Sequence, residues 1–307
     1  MQQNNAFPRA AQQIYIAETP EPGVTHGQPF APGTGGSQNF RIPAIVMLEN
    51  GTLFAACDAR WDHDGDGAGI DTIVSTSKDG GKSWHYRFAN YLGDNGNQFN
   101  DLSTSFMDGA LGTDGDTLYL VVDLFPAGFA LNTSRYRPVA GRNGLDEHGN
   151  LRLRQLQNDS AVIGEPEYGE AAAAGNYDYY LSFADYKWNG TEYIHGRYVE
   201  VDTGISKTAC NQLSAIRYSL PVNRKDVILL STADGDGRSR SNGTIYLLTL
   251  EDDNAVSFAN SRHITIGYYA YSCLTEMADG DLALLYECGD ASIAYQPILM
   301  SEFLSKR

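Results

Sequence analysis

Residues 44–60 read AIVMLENGTLFAACDAR: an apolar run, an Asn50-Gly51 pair, then a second apolar run. Asn-Gly accepts the positive φ of a tight hairpin turn, so the stretch predicts two antiparallel strands closely joined. The design returns at 272–287, SCLTEMADGDLALLYE, with Asp279-Gly280 at its turn. Fragments of it stand at 112–123, GTDGDTLYLVVD, and at 224–235, RKDVILLSTADG. Helical periodicity is missing over windows of about 11 residues; EPEYGEAAAAG at 165–175 is short and bounded by glycine. A strand–turn–strand unit at irregular spacing predicts an all-β array, a propeller or a sandwich.

The composition agrees. In 307 residues, 42% hydrophobic content supplies a full core for one large domain or two, and 32 Gly with 19 Tyr suit turns and strands. A net charge of −16 argues against a nucleic-acid partner, which would need a basic face. No run approaches the ~18 consecutive apolar residues of a membrane span. The opening MQQNNAFPRAAQQ shows no secretory leader, so the expectation is a cytoplasmic chain or one whose leader has been removed. Cys57, Cys210, Cys273 and Cys288 stand far apart in no metal-binding pattern and are expected as small buried hydrophobes. No cofactor and no metal is expected.

Residues 130–205 read differently. Five arginines (135, 137, 142, 152 and 154) precede a Tyr-rich hairpin pattern, YDYYLSFADYKWNGTEYIHGRYVEV. The stretch is expected as an insertion within a single domain spanning 1–307. Asn-x-Ser/Thr triplets begin at Asn50, Asn132, Asn158, Asn189 and Asn242. Three are Asn-Gly turns, and glycosylation is not expected.

Two motifs sharpen the picture. Ser77-Lys78-Asp79-Gly80-Gly81-Lys82-Ser83-Trp84 has the spacing Ser-x-Asp-x-Gly-x-x-Trp. This suits a hairpin tip where Asp binds turn amides, Gly takes a special φ and Trp plugs the base. Upstream stands Phe40-Arg41-Ile42-Pro43-Ala44. The octet is the Asp box of sialidase propellers, though it also occurs in unrelated β-folds. Together the two motifs resemble bacterial sialidases, six-bladed propellers that remove terminal sialic acid. Further matches follow in order: Asp58-Ala59-Arg60, Phe106-Met107-Asp108, 239–244 (SRSNGT), 269–275 (YAYSCLT) and 285–287 (LYE).

The resemblance implies roles that the chemistry supports. Sialic acid carries a carboxylate on its anomeric carbon, and guanidinium forks grip carboxylates bidentately. Of the family's three arginines, Arg41 matches the first and Arg240 the third, with Arg238 as the neighbouring alternative. Glu287 matches the carboxylate that holds the first arginine. A carboxylate nucleophile would be repelled by the substrate's own, so the family uses a tyrosine. Tyr271 takes that place, Tyr268 and Tyr269 being read as packing residues. A free phenol titrates near ~10, so it needs a basic partner.

Asp62, Asp64 and Asp66 compete for the acid/base role. Asp66 is chosen because Asp66-Gly67-Ala68-Gly69-Ile70 reproduces the family's D-x-x-x-I. Asp58 and Arg60 match the pair at the sugar's 4-hydroxyl, and Met107 and Asp108 match residues of the N-acetyl pocket. The run Asp62-x-Asp64-x-Asp66-Gly67 also copies half an EF-hand calcium loop, but its twelfth position is Ile73 where Glu is required.

The resemblance thins in the middle of the chain. The second arginine and the glutamate that activates the tyrosine lack matching contexts; Glu200 and Arg217 are the candidates, 17 residues apart. Residues 210–216, CNQLSAI, resemble a family segment that follows blades missing here. Residues 130–205 resemble an accessory region inserted after the Phe-Pro-Ala-Gly turn at 125–128. A shortened propeller of four or five blades is expected. The implied activity is an exo-α-sialidase acting on sialylated glycans, with neither a nucleic-acid nor a membrane partner. Its alternatives are an intramolecular trans-sialidase and a non-catalytic glycan-binding propeller.

Overall fold

The computed structural model describes residues 19–304, except 62, 67–68, 92, 94–104, 116, 126–153, 158–159, 164–181, 189–192, 201–210, 235–238 and 252–255; over 154–200 it describes backbone alone. A short strand β1 (Gly23–His26) leads to β2 (Asn39–Met47), β3 (Leu53–Arg60), β4 (Ile70–Ser77) and β5 (Ser83–Phe88), forming an antiparallel sheet ordered β1-β5-β4-β3-β2. Strands β6 (Ser105–Thr113) and β7 (Leu118–Phe125) form a hairpin that meets β4 at the parallel pair Ile70–Ser105. Two further hairpins follow, β8 (Arg154–Gln157) with β9 (Ser160–Ile163), and β10 (Ser182–Trp188) with β11 (Tyr193–Glu200). Then come β12 (Ser214–Arg217), β13 (Val227–Ala233), β14 (Ser241–Leu250) and β15 (Val256–Tyr268) in one sheet. A last sheet holds β16 (Ala270–Glu276), β17 (Leu282–Glu287) and β18 (Ile293–Ile298), before a helical turn α1 (Ser301–Leu304).

The two clearest hairpins share a loop one residue longer than the tight turn expected. In each, three residues bridge a closing pair: Leu48 N–H donates to Thr52 O at 2.9 Å, and Met277 N–H to Asp281 O at 2.7 Å. Only the glycine of each dipeptide is left-handed, Gly51 at φ 81° and Gly280 at 83°. Asn50 and Asp279 instead accept a hydrogen bond two residues on, from the amides of Thr52 and Asp281. That is the three-residue hairpin, whose glycine sits at the αL position.

Strand β17 shows why the sheets stack face to face. Its LALLYE is almost continuously apolar because both of its faces are covered. Leu282 and Leu284 enter a core with Leu229, Ile245, Leu247 and Leu274. Ala283 and Leu285 enter another with Phe40, Leu53, Ile73 and Trp84. Each fully buried Leu contributes roughly 1.5–3 kcal/mol of transfer free energy. Seams between sheets are also tied by polar contacts: Ile45 N–H donates to Cys273 Sγ (3.4 Å) and Met47 N–H to Thr275 Oγ1 (3.2 Å). Phe30 bridges to Ile293, joining the first strands to the last sheet.

Candidate functional site

Four strands carry the same local device. At Ile42, Asp108, Asn242 and Tyr271 the backbone is left-handed, with φ of 54, 58, 57 and 45°. At each, the pairing register slips: between Arg41 and Ala44, Met107 and Ala110, Ser241 and Gly243, and Ala270 and Cys273. A non-glycine residue held there costs of order 1–3 kcal/mol, and a bulge re-aims the side chains beside it. Three residues so re-aimed are Arg41, Asp108 and Tyr271. The bulges are hard to read in sequence because one extra residue erases the alternation. The shared Arg-Ile-Pro-Ala, Met-Asp-Gly-Ala, Ser-Asn-Gly-Thr and Ala-Tyr-Ser-Cys spacing is the only trace.

Arg41 and Glu287 form the first cluster. Arg41 donates from Nε and Nη2 to the two Glu287 carboxylate oxygens at 3.1 and 3.4 Å, and the bulged Ile42 amide donates to Oε1 at 3.0 Å. Burial alone would lower the Arg41 guanidinium, but Glu287 outweighs it and holds it raised. The guanidiniums of Arg41 and Arg240 both stand over the Tyr271 ring, 5.2 and 4.9 Å from its centroid. That is cation–π range. Arg240 Nη2 also donates to the Tyr271 hydroxyl at 3.4 Å. Below lies Tyr269, fully buried, with a hydroxyl chain to Ser231 and Ser272. A Cβ at Gly243 would fall 2.1 Å from the Tyr269 ring, so that approach admits only glycine.

The second cluster runs inward from Asp66. Arg60 Nη1 donates to Asp66 Oδ1 at 3.0 Å and to the Asp64 carbonyl at 2.6 Å, and Nη2 donates to Asp58 Oδ2 at 2.8 Å. Arg60 and Asp58 have no exposed side-chain surface, whereas Asp66 keeps 22%. The Asp108 amide caps Asp58 Oδ1 at 3.1 Å. Burial pushes the Asp58 carboxyl up to about 7, against the pull of Arg60. Burial likewise raises Asp108.

Several expectations change. Asp58 and Arg60, expected against the sugar, are fully enclosed and stand behind Asp66. Met107 is buried against Ile70 rather than facing a pocket. Arg217 sits at the far end of β12, opposite Ile228, largely exposed and paired with Asp226. Ser214, at the start of β12, accepts the Leu274 N–H at 2.9 Å and lies opposite Ser231, whereas Arg217 ends the strand three residues further along. Tyr268 is no packing residue: it is 40% exposed and hydrogen-bonds Arg240 at the rim. Glu200 ends β11 with its side chain outside the described residues, where Arg238 and Asp62 also lie. Among the described residues no group of three His, Cys, Asp or Glu is arranged to hold a metal ion.

One contributor escaped the sequence reading. Asn211 Oδ1 accepts the strained Tyr271 amide at 3.2 Å. Its only signal was its place in the 210–216 segment.

No protein-family model matches the chain. In sequence it is 36% identical over 98 residues to an anhydrosialidase of Macrobdella decora, covering 29% of this chain and 13% of that protein. It is 34% identical over 86 residues to a sialidase of Clostridium perfringens, covering 28% of this chain and 21% of that one. The matched stretches thus span between an eighth and about a fifth of those relatives' lengths. In fold it is similar to the intramolecular trans-sialidase of Ruminococcus gnavus (TM-score 0.59, 18% identity, 92% of this chain and 99% of that one). It is also similar to the NanB sialidase of Streptococcus pneumoniae (TM-score 0.62, 17% identity, 90% and 71%). This all-β chain therefore has the sialidase-type β-propeller fold and resembles the bacterial sialidases in sequence.

Proposed function

We propose that the chain acts on terminal α-linked sialic acid as an exo-sialidase, through a tyrosyl-enzyme that is formed and broken with overall retention. The observation that carries the reading is the Tyr271 phenol beneath two guanidiniums, with Arg240 donating to its oxygen. Arg41 and Arg240 grip the substrate carboxylate, and the neutral phenol approaches the adjacent carbon without charge repulsion. Tyr271 Oη bonds to the anomeric carbon as the bond to the leaving oxygen breaks, and Asp66 gives that oxygen its proton. Asp66 then takes a proton from the water that displaces Tyr271. Glu200 is the candidate to receive the phenol's own proton. Glu287 holds Arg41 in place. Asp58 and Arg60 position Asp66 from behind, and Asp108 stands beside them.

A second reading keeps these roles but lets a hydroxyl of the bound sugar attack in place of water. The names of two relatives, an anhydrosialidase and an intramolecular trans-sialidase, favour it. The test is a fluorogenic sialoside at pH 5–7 with Tyr271→Phe as partner. The parent should turn over, and the variant should lose roughly 10³-fold or more in kcat. A fluorinated sialosyl inhibitor should label Tyr271, and product analysis separates free from anhydro sugar. Binding without turnover would sink catalysis and leave a glycan-binding propeller, consistent with Arg217 lying far from the clamp.

A further inference from the structure

Asp71 is a fully buried carboxylate that the reaction proposed above leaves unused. It stands second in β4, paired across the ladder with Ala59. A carboxylate enclosed in this way must be met by donors. Two converge on its Oδ2, the indole Nε1–H of Trp61 at 2.9 Å and the Gly93 amide at 2.8 Å. Trp61 directly follows Arg60 and opens the β3–β4 connection, which carries Asp66. Its backbone N–H donates to Gly69 O at 3.1 Å, so the two ends of that connection are also joined through the main chain. The indole ring is fixed as well, stacked on Phe88 at 5.9 Å and set edge-on to Tyr91 at 5.8 Å.

We infer that Trp61 and Asp71 are positioning residues for Asp66, holding its loop where a proton can pass to the leaving oxygen. The inference rests on the sialidase reading with Asp66 as the acid. Arg60 reaches the loop through one side chain, at the Asp66 carboxylate and the Asp64 carbonyl. Those contacts fix the middle of the loop. Trp61 and Asp71 fix its ends to a strand that is itself hydrogen-bonded along its length. The precision matters because a displacement of about 1 Å at a reacting group can cost up to ~10²-fold in rate. A clip that merely held the sheet together would act on all substrates alike. A clip that aims the acid acts in proportion to how much the leaving group needs a proton.

The test compares kcat/KM on an α-sialyl-lactose, whose sugar oxygen leaves only with a proton, and on a 4-nitrophenyl sialoside, whose phenolate leaves without one. Trp61→Phe keeps an aromatic ring and removes the indole N–H. It should lower kcat/KM on the sialyl-lactose about tenfold more than on the nitrophenyl sialoside, part of the ~10²–10⁴-fold that acid–base catalysis supplies. Asp66→Asn sets the scale and should discriminate between the two substrates at least as strongly. Asp71→Ala should discriminate in the same direction, and the double variant no more than either alone, since both remove one hydrogen bond. Thermal melting checks that each variant folds; should Asp71→Ala not fold, Trp61→Phe decides alone. If Asp66→Asn discriminates but Trp61→Phe falls equally on both substrates, or not at all, the inference is overturned and the sialidase reading stands. If Asp66→Asn does not discriminate, or the parent turns over neither sialoside, the acid assignment is lost and the positioning role with it.

Discussion

Two regions of this molecule anchor an aspartate among polar partners, and they do it in opposite ways. At the tip of the β4–β5 hairpin, Asp79 accepts the amides of Lys82 and Ser83 at 3.1 and 3.0 Å and the hydroxyls of Ser77 and Ser83. Trp84, fully buried, donates to Gly81 O at 3.0 Å. Gly81 is left-handed at φ 89°, and a Cβ there would fall 2.0 Å from the Tyr295 ring. Every partner of Asp79 lies within four residues. At the site end, Asp58 is enclosed, its nearest partners are Arg60 and the Asp108 amide fifty residues on, and Arg41 reaches Glu287 across 246 positions. The bonds of Asp79 are local and solvated; those of the site are long-range and exist only when several sheets are assembled.

The largest effect should follow from breaking the enclosed network. Asp58→Ala removes the one fully buried carboxylate on Arg60 and leaves the guanidinium only the partly exposed Asp66, a loss expected at about 3 kcal/mol. Urea unfolding at pH 8 measures it, with Asp58 ionised in the parent. A loss under about 1 kcal/mol, the worth of an exposed pair, would place Asp58 and Arg60 in solvent.

Next is the clamp. Arg41→Ala should weaken free sialic acid by about 2–4 kcal/mol in titration calorimetry, because the ligand carboxylate loses one of its guanidinium partners and faces Glu287 without the intervening cation. Raising salt from low to moderate should leave the parent's affinity steady or improve it. The chain's charge of −16 repels an anionic ligand at long range, and salt screens that repulsion more than the short contacts. If Arg41→Ala binds as well as the parent, the carboxylate is held elsewhere.

A smaller effect falls on the strained strand. Asn211→Ala should cost about 1 kcal/mol, by removing the acceptor of the Tyr271 amide. The variant should lower sialoside turnover more than stability, since the bulge at φ 45° aims the phenol. Equal stability and turnover in variant and parent would remove Asn211 from the site.

The contrast also explains what could be read from sequence. The Asp box and the two glycine loops are decided within a few residues, so their letters spell the turns, though not the three-residue length of the two loops. Strand β17 was legible for the same reason, as the apolar run after the Asp279-Gly280 turn; its burial on both faces was not. Arg41, Asp66, Arg240, Tyr271 and Glu287 became candidates only through the family resemblance, because nothing local to Arg41 announces Glu287. Where the resemblance was silent, reasoning from spacing misled. Arg217 follows Glu200 by a plausible interval, yet its strand carries it away from the clamp to pair with Asp226. Burial was equally hidden: Asp58-Ala59-Arg60 alternates like a half-solvated strand, but β3 is covered along all eight residues.

The last effect is a matter of sign. Burial raises Asp58 to about 7, so the folded protein keeps a proton that the unfolded chain releases near pH 4. Between those values the native state binds more protons, and this group makes stability fall as pH rises from about 4 to about 7. Hydrogen bonds from the Ser83 hydroxyl and amide, and from Ser77, hold Asp79 below the usual carboxylate range. There the unfolded chain binds the proton more tightly, so the contribution is present above about pH 4 and is lost as the pH falls below it. Asn variants at the two positions should therefore diverge in opposite directions from the parent in unfolding measured from pH 3 to 8. For Asp58→Asn the parent's advantage should shrink on going from pH 4 to 7. For Asp79→Asn it should grow from pH 3 to 4 and then stay level, by a small amount because the group is fully exposed and well screened. Slopes of the same sign would mean that Asp58, like Asp79, is held ionised by its partners, and that the Arg60 pair rather than burial governs it.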